Sequence, residues 1–487
     1  MSKPAKVIPI VAASAKVEDS AQFVSMYQKQ PTIYPRAVKG WFANWRWVFV
    51  WLTQLLFYGL PWLQWSGRQA VLFDLDAQRF YIFGLLLYPQ DLIFLAALLV
   101  LSALALFFFT AVAGRLWCGY TCPQTVYTEI FMWAERKIEG DRVARMRLDQ
   151  QPWRWRKIWR KGAKHSAWLS IALFTGFSFV GYFTPIRELA VDMASWNLSG
   201  WNAFWVLFYG AATYGNAGFL REQMCKYMCP YARFQSALID KDSLIITYDA
   251  KRGDPRGSRS RKADSAAHGL GDCIDCTLCV QVCPTGIDIR NGLQNECIGC
   301  AACIDVCNDV MDKMGYAQGL IRYSTENGVV NGSTRLQMFK RALRPRVLIY
   351  GAVLSAASVA FAASVAMRSP FKFDVVKDRG ALARVVEEGA VENVYRIQIM
   401  NRTEAPQTYR VAASGIDGLE VVATPASAGP AAVTSTSVSL RLPFVVAQGL
   451  AGRSVPVMFA VTGVEPTSGT SADRSAIQFE KSTFFIP

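Results

Sequence analysis

Long, nearly uncharged apolar runs dominate the first part of the chain, and short alternating segments dominate its end. Five runs, near 45–65, 91–113, 165–184, 200–220 and 347–366, reach the roughly 20 residues a helix needs to cross a bilayer. Trp and Tyr flank the first, third and fourth, as expected at headgroup level. The fifth, "VLIYGAVLSAASVAFAASVA", is rich in Ala and Ser, which lets helices approach closely. The first four runs pair as two helical hairpins. Beyond them the period changes to two. "NVYRIQIMNRTEAPQTYRV" alternates apolar and polar residues around a turn, and "GLEVVA", "VSLRLPFVV" and "SVPVMFAVTGV" follow. About 115 residues of this pattern predict a β-sandwich of immunoglobulin-like type. That segment has no Trp or Cys, so the antibody-type core is not available to it.

Charge orients the helices. Hydrophobic residues make up 52% of the 487 and charged residues 18%, with a net charge of +15. Residues 114–164 hold 12 Lys and Arg, against one in 185–200 and two in 66–90. The positive-inside rule then puts the N-terminus and the long basic segments in the cytoplasm. Five crossings leave the tail outside, in the periplasm of a Gram-negative cell. From Arg368 onward there are 12 basic and 11 acidic residues, a net of +1, so the basic excess is cytoplasmic. "RWRKIWRKGAKH" reads as an interfacial helix touching anionic lipid rather than as a nucleic-acid patch. The opening "MSKPAKVIPIVAASAKVEDSAQ" has lysines but no apolar run of signal length, and the N-terminus is expected to stay cytoplasmic.

All 12 cysteines fall on the cytoplasmic side of this map, where clustered thiols point to metal or redox chemistry. "CIDCTLCVQVCP" places Cys273, Cys276, Cys279 and Cys283; "CIGCAACIDVCN" places Cys297, Cys300, Cys303 and Cys307. Both follow C-x2-C-x2-C-x3-C, the run by which two-cluster ferredoxins hold two [4Fe–4S] clusters, the fourth cysteine of each run serving the other cluster. One cluster is therefore assigned Cys273, Cys276, Cys279 and Cys307, the other Cys297, Cys300, Cys303 and Cys283. Zinc takes four ligands in C-x2-C pairs and does not explain the doubled pattern. Asn308 stands where the first run has Pro284, which is expected to alter the turn but not the ligand set.

Two further cysteine pairs end membrane runs. "RLWCGYTCPQ" carries Cys118 and Cys122, and "EQMCKYMCPY" carries Cys225 and Cys229. The shared Cys-x-Tyr-x-Cys-Pro marks the hairpins as an internal repeat. On a helix this spacing puts both thiols on one face, with Pro at the helix boundary. Four sulfurs, with the thioethers of Met224 and Met228, could thus meet at one cytoplasmic rim and suit Cu(I). Two other readings stay open: thiols packed as small hydrophobes, and a further iron–sulfur centre. The only histidines are His165 and His268, neither at depth in a span, so bis-histidine haems in the membrane find no ligands. Both are read as surface residues, His165 at a helix end and His268 in a linker.

The stretches "WCGYTCPQTVYTEIFMWAERKIEGDR", "CKYMCPYARFQ", "YDAKRGDPRG", "GDCIDCTLCVQVCPTGIDIRNGLQNECIGCAACIDVC", "GLIRYST" and "NVYRIQIMNRT" closely resemble the cytochrome c oxidase accessory proteins of the CcoG/FixG (RdxA) type. The likeness runs from about Tyr34 to the end of the chain. The resemblance implies an inner-membrane protein that reduces Cu(II) to Cu(I) in assembly of cbb3-type oxidase. Its partners would be oxidase-assembly and copper-delivery proteins, a cytoplasmic electron donor not identified by any flavin or nicotinamide motif, and membrane lipids, with no nucleic acid. Alternatives are a membrane ferredoxin relaying quinol electrons to another respiratory partner, and a non-enzymatic copper carrier or assembly scaffold.

The expected fold is a multi-domain membrane protein: an α-helical bundle of about five spans, a two-[4Fe–4S] ferredoxin-like insertion and a C-terminal Ig-like β-sandwich. Its expected parts are an N-terminal cytoplasmic segment (1–44), a four-helix transmembrane region (45–248), a flexible linker (249–271, charged and rich in Gly and Ser), the ferredoxin domain (272–346), the fifth span (347–366) and the periplasmic domain (367–487).

Overall fold

The computed structural model describes residues 32–261, 269–378, 380, 382–386, 389–464 and 476–487. The opening segment and His268 lie outside them. All five apolar runs are helical. In chain order the principal helices are α1 (Trp41–Gly59), α2 (Leu92–Ala113), α3 (Pro123–Glu139), α4 (Trp155–Val180), α5 (Gly200–Gly215), α6 (Pro230–Leu238), α7 (Ala302–Met314) and α8 (Pro345–Ala366). By length and apolarity two helical stretches qualify to cross a membrane among the described residues, Pro89–Ala113 and Pro345–Ala366. Their apolar windows are 0% and 6% buried, the reverse of a soluble core helix. The other three fall short for local reasons. α1 intersperses Trp, Asn44, Gln54 and Arg46 among its apolar residues, α4 opens on mixed Trp and cations, and α5 is 16 residues long before it passes into a π turn at Asn216–Leu220.

Small residues set the closest helix approach. Gly176 of α4 lies on the backbone of α5 at Val206, and a Cβ at Gly210 would meet Leu173 at 3.2 Å, so neither position has room for a larger residue. The cationic stretch expected as a separate interfacial helix is the first half of α4 itself. There Lys157 and Lys164 are buried while Trp155 and Trp159 are exposed. His165 is not at a helix end, because α4 begins ten residues earlier at Trp155. It is half-buried, its Nδ1 2.9 Å from the Tyr214 hydroxyl.

Strands β1 (Val71–Asp74), β2 (Arg79–Ile82) and β3 (Leu85–Leu87) form a small antiparallel sheet between α1 and α2, which the apolar pattern alone did not reveal. β4 (Ile245–Tyr248) pairs antiparallel with β5 (Ile321–Ser324), so the cysteine-dense unit begins before residue 272. The tail is a two-sheet sandwich of β6 (Phe371–Lys377), β7 (Val391–Asn401), β8 (Gln407–Ser414), β9 (Glu420–Ala423), β10 (Ala426–Ala428), β11 (Val433–Leu442), β12 (Ser454–Val464) and β13 (Ile477–Phe485). One sheet runs β9-β11-β7-β6, with Arg384–Val385 also on β7; the other runs β10-β8-β12-β13. The alternation that predicted β7 is real: Tyr395, Ile397 and Ile399 enter the core while Arg396 stays exposed. "VSLRLPFVV" is not one strand. Pro443 ends β11, and Phe444–Gln448 turns into a short helix.

The sandwich rests on the β1–β3 sheet. Met400 packs with Leu72, Tyr81, Leu86 and Tyr88, Tyr88 donates to the Asn401 carbonyl at 2.9 Å, and Arg402 forms a buried ion pair with Asp91 at the foot of α2. Removing one partner of such a pair strands a buried charge, at a cost of about 3–5 kcal/mol. Arg402→Ala is expected to destabilise by that order in thermal unfolding of the detergent-solubilised protein, with Asp91→Asn/Arg402→Leu recovering most of it. A loss under about 1 kcal/mol would show that the pair behaves as a surface contact.

Candidate functional site

The two cysteine runs adopt one backbone design. In each, the residues on either side of the middle cysteine have positive φ: Asp275 and Thr277 around Cys276 (52° and 55°), Gly299 and Ala301 around Cys300 (71° and 59°). Three of these four are non-glycine, a conformation held only where surroundings over-determine it, as at ligand clamps. The third cysteine then enters a helix, Leu278–Gln281 after the first loop and α7 after the second. The result is two cavities. Cys273, Cys276, Cys279 and Cys307 line one; Cys283, Cys297, Cys300 and Cys303 line the other, which Cys279 also touches. Ile residues stand in both walls, with Val306 and Val310 in the first. Burial pushes Cys279 up to about 11 and Cys297 and Cys307 up to about 12, so these thiols stay protonated until a metal displaces the proton. A single zinc would draw its sulfurs to about 3.8 Å of each other, given its Zn–S distance of about 2.3 Å. Among the described residues no three His, Cys, Asp or Glu side chains close on one point in this way. Four thiols around an apolar void fit a larger, multi-iron group.

The stretch expected as a mobile linker is instead part of this unit over its described residues. Asp249 caps the turn Ala250–Gly253, Arg252 pairs with Asp272 at 2.5 Å, and the Gly271 amide donates to Pro255 at 2.9 Å. Its charges looked solvated in sequence because their partners are each other. Asn308 alters no turn. α7 continues through it to Met314, and its side chain accepts from the Gly319 amide at 3.0 Å.

The paired cysteines do not ride on one helical face. Gly114, at φ +54°, breaks the chain after α2, a short helix covers Leu116–Tyr120, and Cys122 is the N-cap of α3 with Pro123 at its first position. The second copy repeats this: a π turn at Met224–Met228, then Cys229 as N-cap of α6 with Pro230 first. Proline therefore starts a helix in both copies, because its missing N–H is already an orphan there. Cys118 and Cys225 pack against Val282, Ile298 and Cys300 of the cysteine-dense unit. Burial pushes Cys118 up to about 11, its hydrogen bond with Gln235 offsetting part of this, and pushes Cys225 up to about 12; Cys122 and Cys229 lie near enough to each to act on it electrostatically. Met224 is half-buried and Met228 is 58% exposed.

Residues outside the motifs fasten the two regions together. A Cβ at Gly119 would sit 2.7 Å from the Gly299 carbonyl oxygen, and one at Gly299 would sit 2.9 Å from that of Arg115. Two chain segments thus touch backbone to backbone between Cys118 and Cys300. Arg115 donates to the Asn295 carbonyl and, at 2.8 Å, to that of Ala232 in α6, tying both cysteine pairs to the second loop. Gln235, fully buried, donates to the Cys118 sulfur at 3.4 Å. Tyr323 donates to Gly299 at 2.6 Å. Asp305, inside the second run, accepts the free amides of Phe42 and Ala43 at 3.2 and 2.8 Å, a carboxylate on the positive end of α1. Arg46 of α1 pairs with Glu129 and faces Cys300, pulling that buried thiol part of the way back down. Motif spacing could not find these residues; only the position of Arg115 beside the first motif hinted at it.

Fold and thiol arrangement together define an iron–sulfur protein of the two-cluster ferredoxin type, joined to apolar helices and an Ig-like domain. Comparison agrees: residues 220–326 match the family described as a 4Fe-4S dicluster domain, 95–140 a 4Fe-4S binding domain, and 361–487 the Ig-like fold at the C-terminus of FixG. The chain is 36% identical over 422 residues to the nitrogen fixation protein FixG of Rhizobium meliloti, covering 80% of each chain. It is 37% identical to protein RdxA of Cereibacter sphaeroides (81% of this chain, 84% of that one) and 38% identical to RdxB of the same organism (80% and 83%). The chain belongs to the FixG/RdxA family.

Proposed function

We propose that this protein is a membrane cupric reductase, giving Cu(I) to the assembly of a cbb3-type oxidase. The observation that carries the proposal is the packing of Cys118 and Cys225 against the apolar cluster that holds Ile298 and Cys300, which sets a soft-ligand rim against a four-thiol cavity. In this reading Cys273, Cys276, Cys279 and Cys307 hold one [4Fe–4S] cluster and Cys297, Cys300, Cys303 and Cys283 the other. When bound, such clusters supply one-electron transfer. Cys276, alone exposed among the twelve cysteines, marks the side facing a cytoplasmic donor. Cu(II) is the substrate: it gains one electron at the Cys118, Cys122, Cys225 and Cys229 rim and is retained as Cu(I) by thiolate, which favours the reduced ion. The rim must close by side-chain rotation to grip one ion. The second cysteine turn, Met224–Met228, is suited to this, since π turns recur at functional sites. Five crossings, with the ferredoxin unit cytoplasmic and the sandwich periplasmic, are part of this reading, supported by the distribution of basic residues between the five apolar runs.

A second reading is favoured by one observation. The 4Fe-4S binding-domain match spans Cys118 and Cys122, so the four rim cysteines could hold a further cluster. Anaerobic Cu(II) addition to purified, chemically reduced protein, followed by metal analysis, separates the two. The copper reading expects bound Cu(I) and about 8 irons per chain; about 12 irons and no copper reduction would replace it with the second.

A further inference from the structure

An aromatic-lined cavity with no cysteine in its wall lies between α1, α3 and α4. Its volume is about 850 Å3, and its walls include Trp47, Trp51, Gln54, Tyr58, Trp133 and Ser170. That is the size of a site for a ring-bearing small molecule. Two of the five helices assigned to the bilayer above, α1 and α4, form its sides, and on that placement it opens toward lipid.

One atom in its wall is out of place for a lipid tail. Gln54 Oε1 is buried without a hydrogen-bond partner, while the nearby Tyr58 and Thr175 hydroxyls share a hydrogen bond of 2.9 Å. Polar groups at membrane depth mark functional sites by default. An amide oxygen accepts and never donates, so its missing partner is an O–H or N–H group. Gln54 lines the cavity, and its terminal torsion is soft. An acyl chain would leave it unpaired.

The cavity is also close to the thiol-lined unit. Asp305 holds the N-terminus of α1 at Ala43, and Val50, on the cavity wall, is seven residues on, about 10 Å along the helix. Phe49 lies between, its ring 6.0 Å from that of Tyr120 in the first cysteine turn.

We propose that this cavity binds the ring of a membrane hydroquinone, one hydroxyl donating to Gln54 Oε1 and the ring lying among Trp47, Trp51 and Trp133. Three features single out this occupant: a hydrogen-bond donor is required, the walls suit a planar ring, and the entrance faces lipid. The inference rests on the bilayer placement of α1 and α4 proposed above and not on the copper reading.

The test uses the full-length protein in phosphatidylcholine nanodiscs and an azido-benzohydroquinone with a decyl tail as photolabel. Labelling should be saturable, should map to α1 and α4 at the cavity, and should be displaced by decylubiquinol but not by added phosphatidylcholine. The oxidised quinone, which lacks the O–H, should compete about tenfold less well. Gln54→Leu should weaken labelling about tenfold and abolish the preference for the reduced form. Ile171→Trp should block labelling by filling the cavity. Unchanged iron–sulfur absorption in both variants establishes that they are folded. Labelling spread over all lipid-facing helices, displaced by phospholipid, or indifferent to Gln54 would overturn the proposal. A lipid-phase carbene reagent applied in parallel locates the fault: if it misses α1, the bilayer placement fails with it; if it labels α1, only the hydroquinone site fails.

Discussion

Protein with Cys118→Ala and Cys122→Ala is expected to keep both [4Fe–4S] EPR signals while its Cu(II) reduction falls at least about 100-fold. The magnitude follows from ligand loss: removing groups that merely orient metal ligands costs 10–100-fold, and on the copper reading two ligands are removed outright. The signals should survive because neither residue lines the two four-cysteine cavities. Cys118 only packs on the outside of the second one, beside Ile298 and Cys300. A packing role alone would give the opposite result, since loss of two small thiols lowers stability and leaves copper chemistry unchanged. Iron content provides the third outcome. A fall of about four irons in the double variant would assign the pair to a further cluster, and unchanged Cu(II) reduction would remove copper from this site altogether.

The second large effect concerns Cys307. By position it belongs to the second run, yet it lines the cavity of Cys273, Cys276 and Cys279. Cys307→Ala should therefore lose the same EPR signal as Cys276→Ala, and iron should drop from about 8 to about 4 per chain. Cys283→Ala should instead pair with Cys300→Ala, because Cys283 lies in the other cavity. The crossing has a backbone cause. In each run a helix begins just after the third loop position, carrying the fourth cysteine away from its own loop toward its neighbour's. A Cys307→Ala spectrum matching Cys300→Ala would mean that each run closes on its own cluster.

What the sequence disclosed follows the range of the interactions involved. Cluster-binding cysteines are legible because their spacing is local, and β7 is legible because burial of Tyr395, Ile397 and Ile399 imposes a period of two. The helix break at Thr121 is not legible because Pro123 marks a helix boundary without saying which end, and here it starts a helix from an N-cap cysteine. The stretch 249–271 reads as a linker because Arg252 and Asp249 look solvated until Asp272 and Arg322 are placed beside them. The pairing of β4 with β5, the capping of α1 by Asp305, and the Arg115 staple all join residues far apart in sequence, and no local pattern encodes them. The contact between Gly119 and Gly299 is of the same kind. Each glycine lies in a recognisable motif, but only the fold shows that they touch and that they bring the two motifs together.

That contact carries the central claim, that electrons held in the ferredoxin unit reduce copper at the paired cysteines. The most direct measurement mixes anaerobic, dithionite-reduced protein, freed of excess reductant, with one equivalent of Cu(II) and follows both spectra in a single turnover. Bleaching of the Cu(II) EPR signal should match recovery of the oxidised-cluster absorption one electron for one, with copper remaining on the protein as Cu(I). Clusters that stay reduced while Cu(II) persists, or that are oxidised equally fast when Cys118 and Cys122 are alanine, would contradict the account.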